Sequence, residues 1–273
     1  MLPSRGRALK GDEGLQAQAH HAEDRVVELL RGHSQGQHHE SRDRVRRYAA
    51  RTVFRFGVHT GRHKQFCDML AEKGYLAVCP DFFALKGRYT LCAPSFGMNY
   101  CCAAEFLLKF FTGYMDRKTR TFAWDTFMKQ KVMDELLPWM KTSHGVQSFA
   151  ALGFCWGTYG SLKCAAYPEF RCCVGFHPSN EGFCKAAKED DLQACREIKC
   201  PQLMIATKGE SARWKPEGEA HKACLAAMPG QVTWDVVEAN HGYMSRGDTA
   251  QPETLEAATK GVERMMAFFK EHL

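Results

Sequence analysis

Cys155 stands between two glycines in Gly153-Phe154-Cys155-Trp156-Gly157, after the apolar run "VQSFAALGF" (146–154) and before a small-residue helix signal (157–167). A thiol is a nucleophile only as the thiolate, so useful chemistry here needs a base, and the base needs a group to orient it. G-x-nucleophile-x-G between a buried strand and a helix is the pattern of a nucleophile elbow. Glycine at the flanking positions lets neighbouring backbone come close. The N–H of Trp156 would then face a developing oxyanion, and the start of the following helix would favour the thiolate. His241 follows the strand signal at 232–239, and Glu210 follows the one at 201–207. The chain order is therefore nucleophile, acid, base, each just past the carboxyl end of an expected strand. His241 would take the thiol proton, and Glu210 would fix the imidazole tautomer. Each residue also has a plainer reading. Cys155 could be a buried thiol in a glycine-punctuated turn, His241 a loop histidine and Trp156 a packing residue. Asp235, inside the last strand, is the second candidate for the acid. His177, in "FHPS", reads as a structural or pocket-lining group.

The elements that would position these residues alternate from about residue 51 onward. A helix is expected over 62–74, with Gly74 as its stop, and a buried strand over 75–79, ended by Pro80. A less regular region, 82–120, would cover part of a pocket. A helix over 125–141 should end near Pro138, and strands follow at 146–154, 172–177, 201–207 and 232–239. Helices are expected at 157–167 and 217–228. A final amphipathic helix, 253–273, carries Leu255, Val262, Met265, Met266 and Phe269 on one face. This alternation predicts an α/β fold, a mostly parallel sheet with helices on both faces.

Composition narrows the function. The chain has 273 residues, 45% of them hydrophobic, so a sizeable core can be buried. A net charge of +6 comes without a lysine-rich tract or an aromatic-interleaved basic patch, which argues against nucleic acid as a partner. No run of 18 apolar residues predicts a membrane span, and the first 20 residues lack a secretory apolar segment. Thirteen cysteines, none at C-x-x-C spacing, read as reduced thiols of a cytoplasmic protein and exclude a zinc ribbon. The pairs His20-His21 and His38-His39 lack supporting acids or cysteines at ligand spacing, so no metal is expected.

The chain resembles the dienelactone hydrolase family. The resemblance rests on "FCDMLAEKGYLAVCPDFF" (66–83), "GFCWGTYG" (153–160), "GFHPS" (175–179), "KPEG" (215–218) and "HGYMSRGD" (241–248), in family order across about 54–273. It implies a single α/β-hydrolase domain and hydrolysis of a small ester or lactone through an acyl-thioester on Cys155, with no cofactor. It implies His241 as base and Glu210 where the family usually has aspartate. It also places a substrate-carboxylate arginine at Arg246 and the second oxyanion N–H at Arg55, within "FRFGV" (54–58). Phe54 replaces a family acid there.

Residues 1–50 differ in texture from the rest, rich in His, Gln and Gly, with "RVVELL" (25–30) as their only dense apolar stretch. They read as an atypical, disordered extension. The basic run "RDRVRRYAART" (42–52) is a poor candidate for a buried parallel strand. The expectation is that 1–50 are not the family's own terminus and that the sheet's leading strands are missing or replaced. The main reading is a cysteine hydrolase working as a monomer or dimer. A catalytically impaired relative that binds a ligand in the same pocket is the alternative, and a redox sensor ranks last.

Overall fold

A computed structural model describes residues 51–56, 62–80, 82 and 119–273. Six strands form one sheet: β1 (Arg51–Phe56), β2 (Leu76–Val78), β3 (Ser148–Phe154), β4 (Phe170–Phe176), β5 (Gln202–Thr207) and β6 (Val232–Val237). Their spatial order is β2-β1-β3-β4-β5-β6, and every neighbouring pair is parallel. The helices are α1 (His63–Glu72), α2 (Leu137–His144), α3 (Gly157–Cys164), α4 (Asn180–Ala187), α5 (Gln193–Glu197), α6 (Glu219–Ala227) and α7 (Pro252–His272).

Parallel strands connected by helical crossovers must bury both faces, and the side-chain alternation shows it. On β3, Phe149 and Ala151 enter one apolar cluster while Ala150, Leu152 and Phe154 enter the other. On β5, Met204 faces the first and Leu203 and Ile205 the second. The first cluster is closed by α2, α3, α5 and α6, through residues such as Met140, Leu162, Cys195 and Cys224. The second is closed by Phe66, Met69 and Leu70 of α1 and by Ala258, Val262, Met265 and Phe269 of α7. On α7, Val262, Met265 and Phe269 are buried as the periodicity predicted, while Leu255 and Met266 flank them, half-buried.

The architecture agrees with the expected α/β fold and corrects it in three places. First, the sheet does not lack a strand ahead of residue 57. Arg51–Phe56 is β1, paired in parallel with β2 on one side and along its whole length with β3 on the other. Only Arg51 and Thr52 of β1 belong to the basic run 42–52, and the rest of that run lies outside the described residues. Strand pairing satisfies backbone groups, and Thr52, Val53 and Phe54 are strong strand formers. Second, the helical stretch does not end near Pro138. It winds as wide π-helical turns through Trp124–Met128 and Gln130–Leu136, and α2 continues to His144. Pro138 sits where the π-helical turns give way to α2, and left-handed Gly145 ends the helix. Third, α4 and α5 occupy a stretch for which no element was expected.

The expected extension 1–50, its RVVELL segment, the two histidine pairs and most of the pocket-covering region 82–120 lie outside the described residues. Among the described residues, no helix is long and apolar enough to cross a membrane.

Candidate active site

The turn from β3 into α3 carries Cys155. Its backbone is held at φ 57°, in the left-handed region that a non-glycine residue enters only under constraint. The constraint is visible in the hydrogen bonds. Cys155 N–H donates to Phe176 O at 3.1 Å, while its carbonyl accepts from Thr158 N, Thr158 Oγ1 and Ser179 N. Gly153 is required by close approach, since a Cβ there would lie 2.5 Å from Gly157 O and 2.6 Å from Thr158 Cα. The elbow expected from the G-x-C-x-G spacing is therefore present as a tight strand-to-helix turn.

Two other strand ends deliver the partners. His241 follows β6, and its Nε2 lies 3.1 Å from Cys155 Sγ. Its Nδ1 lies 2.6 Å from Glu210 Oε1. The second Glu210 oxygen accepts from both the N–H and the hydroxyl of Thr207, the last residue of β5. Glutamate is one methylene longer than aspartate, and folding the carboxylate back onto the strand end takes up that length. Asp235, the second candidate acid, pairs with Arg264 of α7 at 2.5 Å. Only 4% of the Glu210 side chain is exposed, against 31% for His241, so the acid is fixed while the imidazole edge reaches solvent.

The electrostatics follow from these contacts. Burial opposes ionisation of Cys155 and is the largest single influence. The hydrogen bonds of His241 and Ser179, the charge of His241 and the N–H of Trp156 outweigh it and hold the thiol below its ordinary value. His241 is pushed up to about 9, first by its bond to Cys155 and then by that to Glu210. For Glu210, burial again works against the charge, but bonds from His241 and Thr207 prevail and lower its pKa. Such a set can pass a proton from Sγ to Nε2, with the carboxylate compensating the imidazolium.

The remaining expected residues fall as follows. Trp156 is the N-cap residue of α3, and its ring stacks on Phe183 of α4 with centroids 6.2 Å apart. Arg55 lies in β1 opposite Leu152. Arg246 is exposed, and its side chain lies over Gly242, whose φ of +88° is a left-handed conformation that favours glycine. His177 is fully buried behind His241, ring centroids 4.8 Å apart. Neither of its ring nitrogens has a hydrogen-bond partner among the described residues. Burial above all, then the charges of His241 and Arg246, keeps it well below the ordinary histidine range.

Two contributors escaped the sequence reading. Ser179 Oγ lies 3.3 Å from Cys155 Sγ and 3.3 Å from His241 Nε2. Arg62, just before α1, turns its guanidinium onto the carbonyls of Tyr243, Met244 and Gly247 and its backbone N–H onto Ser245 O, clamping the His241 loop. No spacing announces either: a serine after His-Pro and an arginine ahead of a helix are common surface features. Among the described residues, no group of three or more His, Cys, Asp or Glu stands where it could hold a metal.

Residues 53–273 match the dienelactone hydrolase family. The chain belongs to this family. Dienelactone hydrolase membership makes it a hydrolase of the esterase kind with the α/β-hydrolase fold, and the parallel sheet flanked by helices agrees. Similar solved structures include a protein described as a dienelactone hydrolase from Klebsiella pneumoniae, 17% identical, covering 82% of this chain and 87% of its own, with a TM-score of 0.49. An esterase from Pyrococcus furiosus is 15% identical, with coverages of 79% and 83% and a TM-score of 0.44. Esterase 2 of Thermogutta terrifontis is 17% identical, with the same coverages and a TM-score of 0.41. No curated protein matches the chain.

Proposed function

We propose that this dienelactone hydrolase family member hydrolyses a small ester or lactone, in the manner of a carboxymethylenebutenolidase, through Cys155. The observation that carries the reading is the continuous chain Cys155 Sγ, His241 Nε2, His241 Nδ1, Glu210 Oε1, with links of 3.1 and 2.6 Å. The thiolate attacks the carbonyl carbon, and the carbonyl π-electrons move to oxygen. The N–H groups of Trp156 and Arg55 receive that oxyanion. Collapse expels the alkoxide, which takes the proton from His241 Nε2 and leaves an acyl-thioester on Cys155. A water molecule, deprotonated by His241, attacks the thioester, and departure of the thiolate releases the acid.

Arg246, exposed beside the His241 loop, would attract a substrate carboxylate, and His177 would back the imidazole that the substrate meets. The site needs a reduced thiol, which fits a cytoplasmic setting. Cys155 itself is a free thiol.

Incubating the purified protein with p-nitrophenyl acetate and a panel of short lactones, beside Cys155→Ala, tests the reading. Turnover that disappears in the variant supports a cysteine hydrolase, and turnover that persists overturns it. A second reading, an impaired relative that keeps the pocket for binding, is favoured by Phe54 standing where the family has an acid. Folded wild type without any turnover would select it.

A further inference from the structure

We infer that Ser179 is a positioning residue that holds the Cys155–His241 pair in its charge-separated form. The inference rests on the proposed reading of Cys155 as the nucleophile. Ser179 occupies the N-cap of α4, where a serine hydroxyl ordinarily accepts from a backbone N–H of the first turn. Here it makes no capping bond. Its Oγ turns the other way and stands 3.3 Å from both Cys155 Sγ and His241 Nε2. Its backbone N–H donates to Cys155 O at 3.2 Å, which ties the residue to the elbow itself. The helix forgoes its side-chain cap, and the hydroxyl completes a triangle with the two reacting atoms.

The triangle discriminates between protonation states. In the neutral pair the proton stays on sulfur and the thiol donates it to the Nε2 lone pair, so the hydroxyl meets only a weak sulfur acceptor. In the charged pair the sulfur accepts from both Nε2–H and Oγ–H, while the hydroxyl oxygen offers a lone pair to the imidazolium. Hydrogen bonds to charged groups are stronger than those between neutral ones. Ser179 therefore favours the thiolate–imidazolium form before any substrate arrives. The other titratable groups around the pair are Glu210 on Nδ1, buried His177 against the imidazole, and Arg246 on the same loop. His63 lies a layer away, against the Phe154 ring. None of them reaches the sulfur.

The test follows alkylation of Cys155 by iodoacetamide against pH in the full chain, read on the Cys155 peptide by mass spectrometry, with a thermal melt of each variant. Ser179→Ala should raise the alkylation midpoint by about one pH unit and slow the reaction about tenfold below it. Its melting temperature should fall by less than the roughly 2–4 °C that loss of a working cap produces. Ser179→Thr should recover most of the midpoint. Ser179→Gly, a second hydroxyl-free variant that suits an N-cap, carries the same expectation should the alanine variant fail to fold. An unchanged midpoint overturns the inference, and an unchanged midpoint with a lowered melt assigns the hydroxyl a purely structural role. A midpoint that shifts while Cys155→Ala still hydrolyses esters would leave the inference standing and remove the proposed function. A wild-type midpoint at the ordinary thiol value removes both.

Discussion

Glu210 Oε1 accepts from His241 Nδ1 at 2.6 Å while its other oxygen is held by both donors of Thr207, so the carboxylate cannot turn away from the imidazole. Glu210→Gln should keep much of this shape but lose the charge that compensates the imidazolium. Its kcat/KM should fall by about 10²–10⁴, with folding near wild type, as circular dichroism and ester hydrolysis would show. Glu210→Asp should be weakened too, because the shorter side chain cannot keep both Thr207 and His241.

Cys155→Ala should lose several powers of ten in kcat. Its stability should change little or improve. The elbow keeps a strained φ, but the half-buried thiol with its unfavourable desolvation is gone. Parallel denaturation and turnover measurements separate the two effects.

The pH dependence should have one acid limb and a divided alkaline limb. Cys155 is lowered and His241 raised to about 9, so the two titrate as a coupled pair whose charged form is filled between their steps. As pH falls through the lower step, the thiolate takes up a proton and both alkylation and hydrolysis slow. As pH rises through about 9, His241 loses its proton while the thiolate remains. Alkylation should then stay fast while hydrolysis declines, because the leaving alkoxide loses its acid. Identical alkaline limbs in the two profiles would contradict the assignment of His241.

Gly153→Ala would place a Cβ 2.5 Å from Gly157 O and 2.6 Å from Thr158 Cα, against the backbone that opens α3. The turn must open, so activity should fall by at least about 10²-fold even in molecules that remain folded. Activity per folded molecule, corrected by active-thiol titration, checks this.

Arg62→Met should uncap three loop carbonyls at once and destabilise the protein by about 2–4 kcal/mol in urea denaturation. Phe269→Ala, in the fully buried face of α7, should cost about 3–5 kcal/mol. The two differ in kind: Arg62 holds the loop of His241, so its loss should also lower kcat, whereas Phe269→Ala should leave kcat of the folded fraction near wild type.

The sequence by itself determined the parts of this protein that local chemistry dictates. Strand-to-helix punctuation and glycine spacing placed Cys155 in an elbow, and the order of strands put Glu210 and His241 behind successive strand ends. Apolar periodicity marked the buried face of α7. It misled where local preference and tertiary context disagree: Arg51–Phe56 was not expected as a strand, yet takes its place by pairing with β2 and β3, and Pro138 suggested a stop inside a helical stretch that runs on to His144. Helix α4 was missed because its two buried positions make too short a pattern. Only the tertiary structure decided which acid meets His241, since Glu210 and Asp235 were both within reach in sequence and packing sends Asp235 to Arg264 instead. It alone brought Ser179 to the sulfur and Arg62 to the His241 loop, the latter across |i−j| of 181 to 185 residues. A contact that distant follows from how a parallel sheet gathers its strand ends at one edge, and no spacing along the chain encodes it.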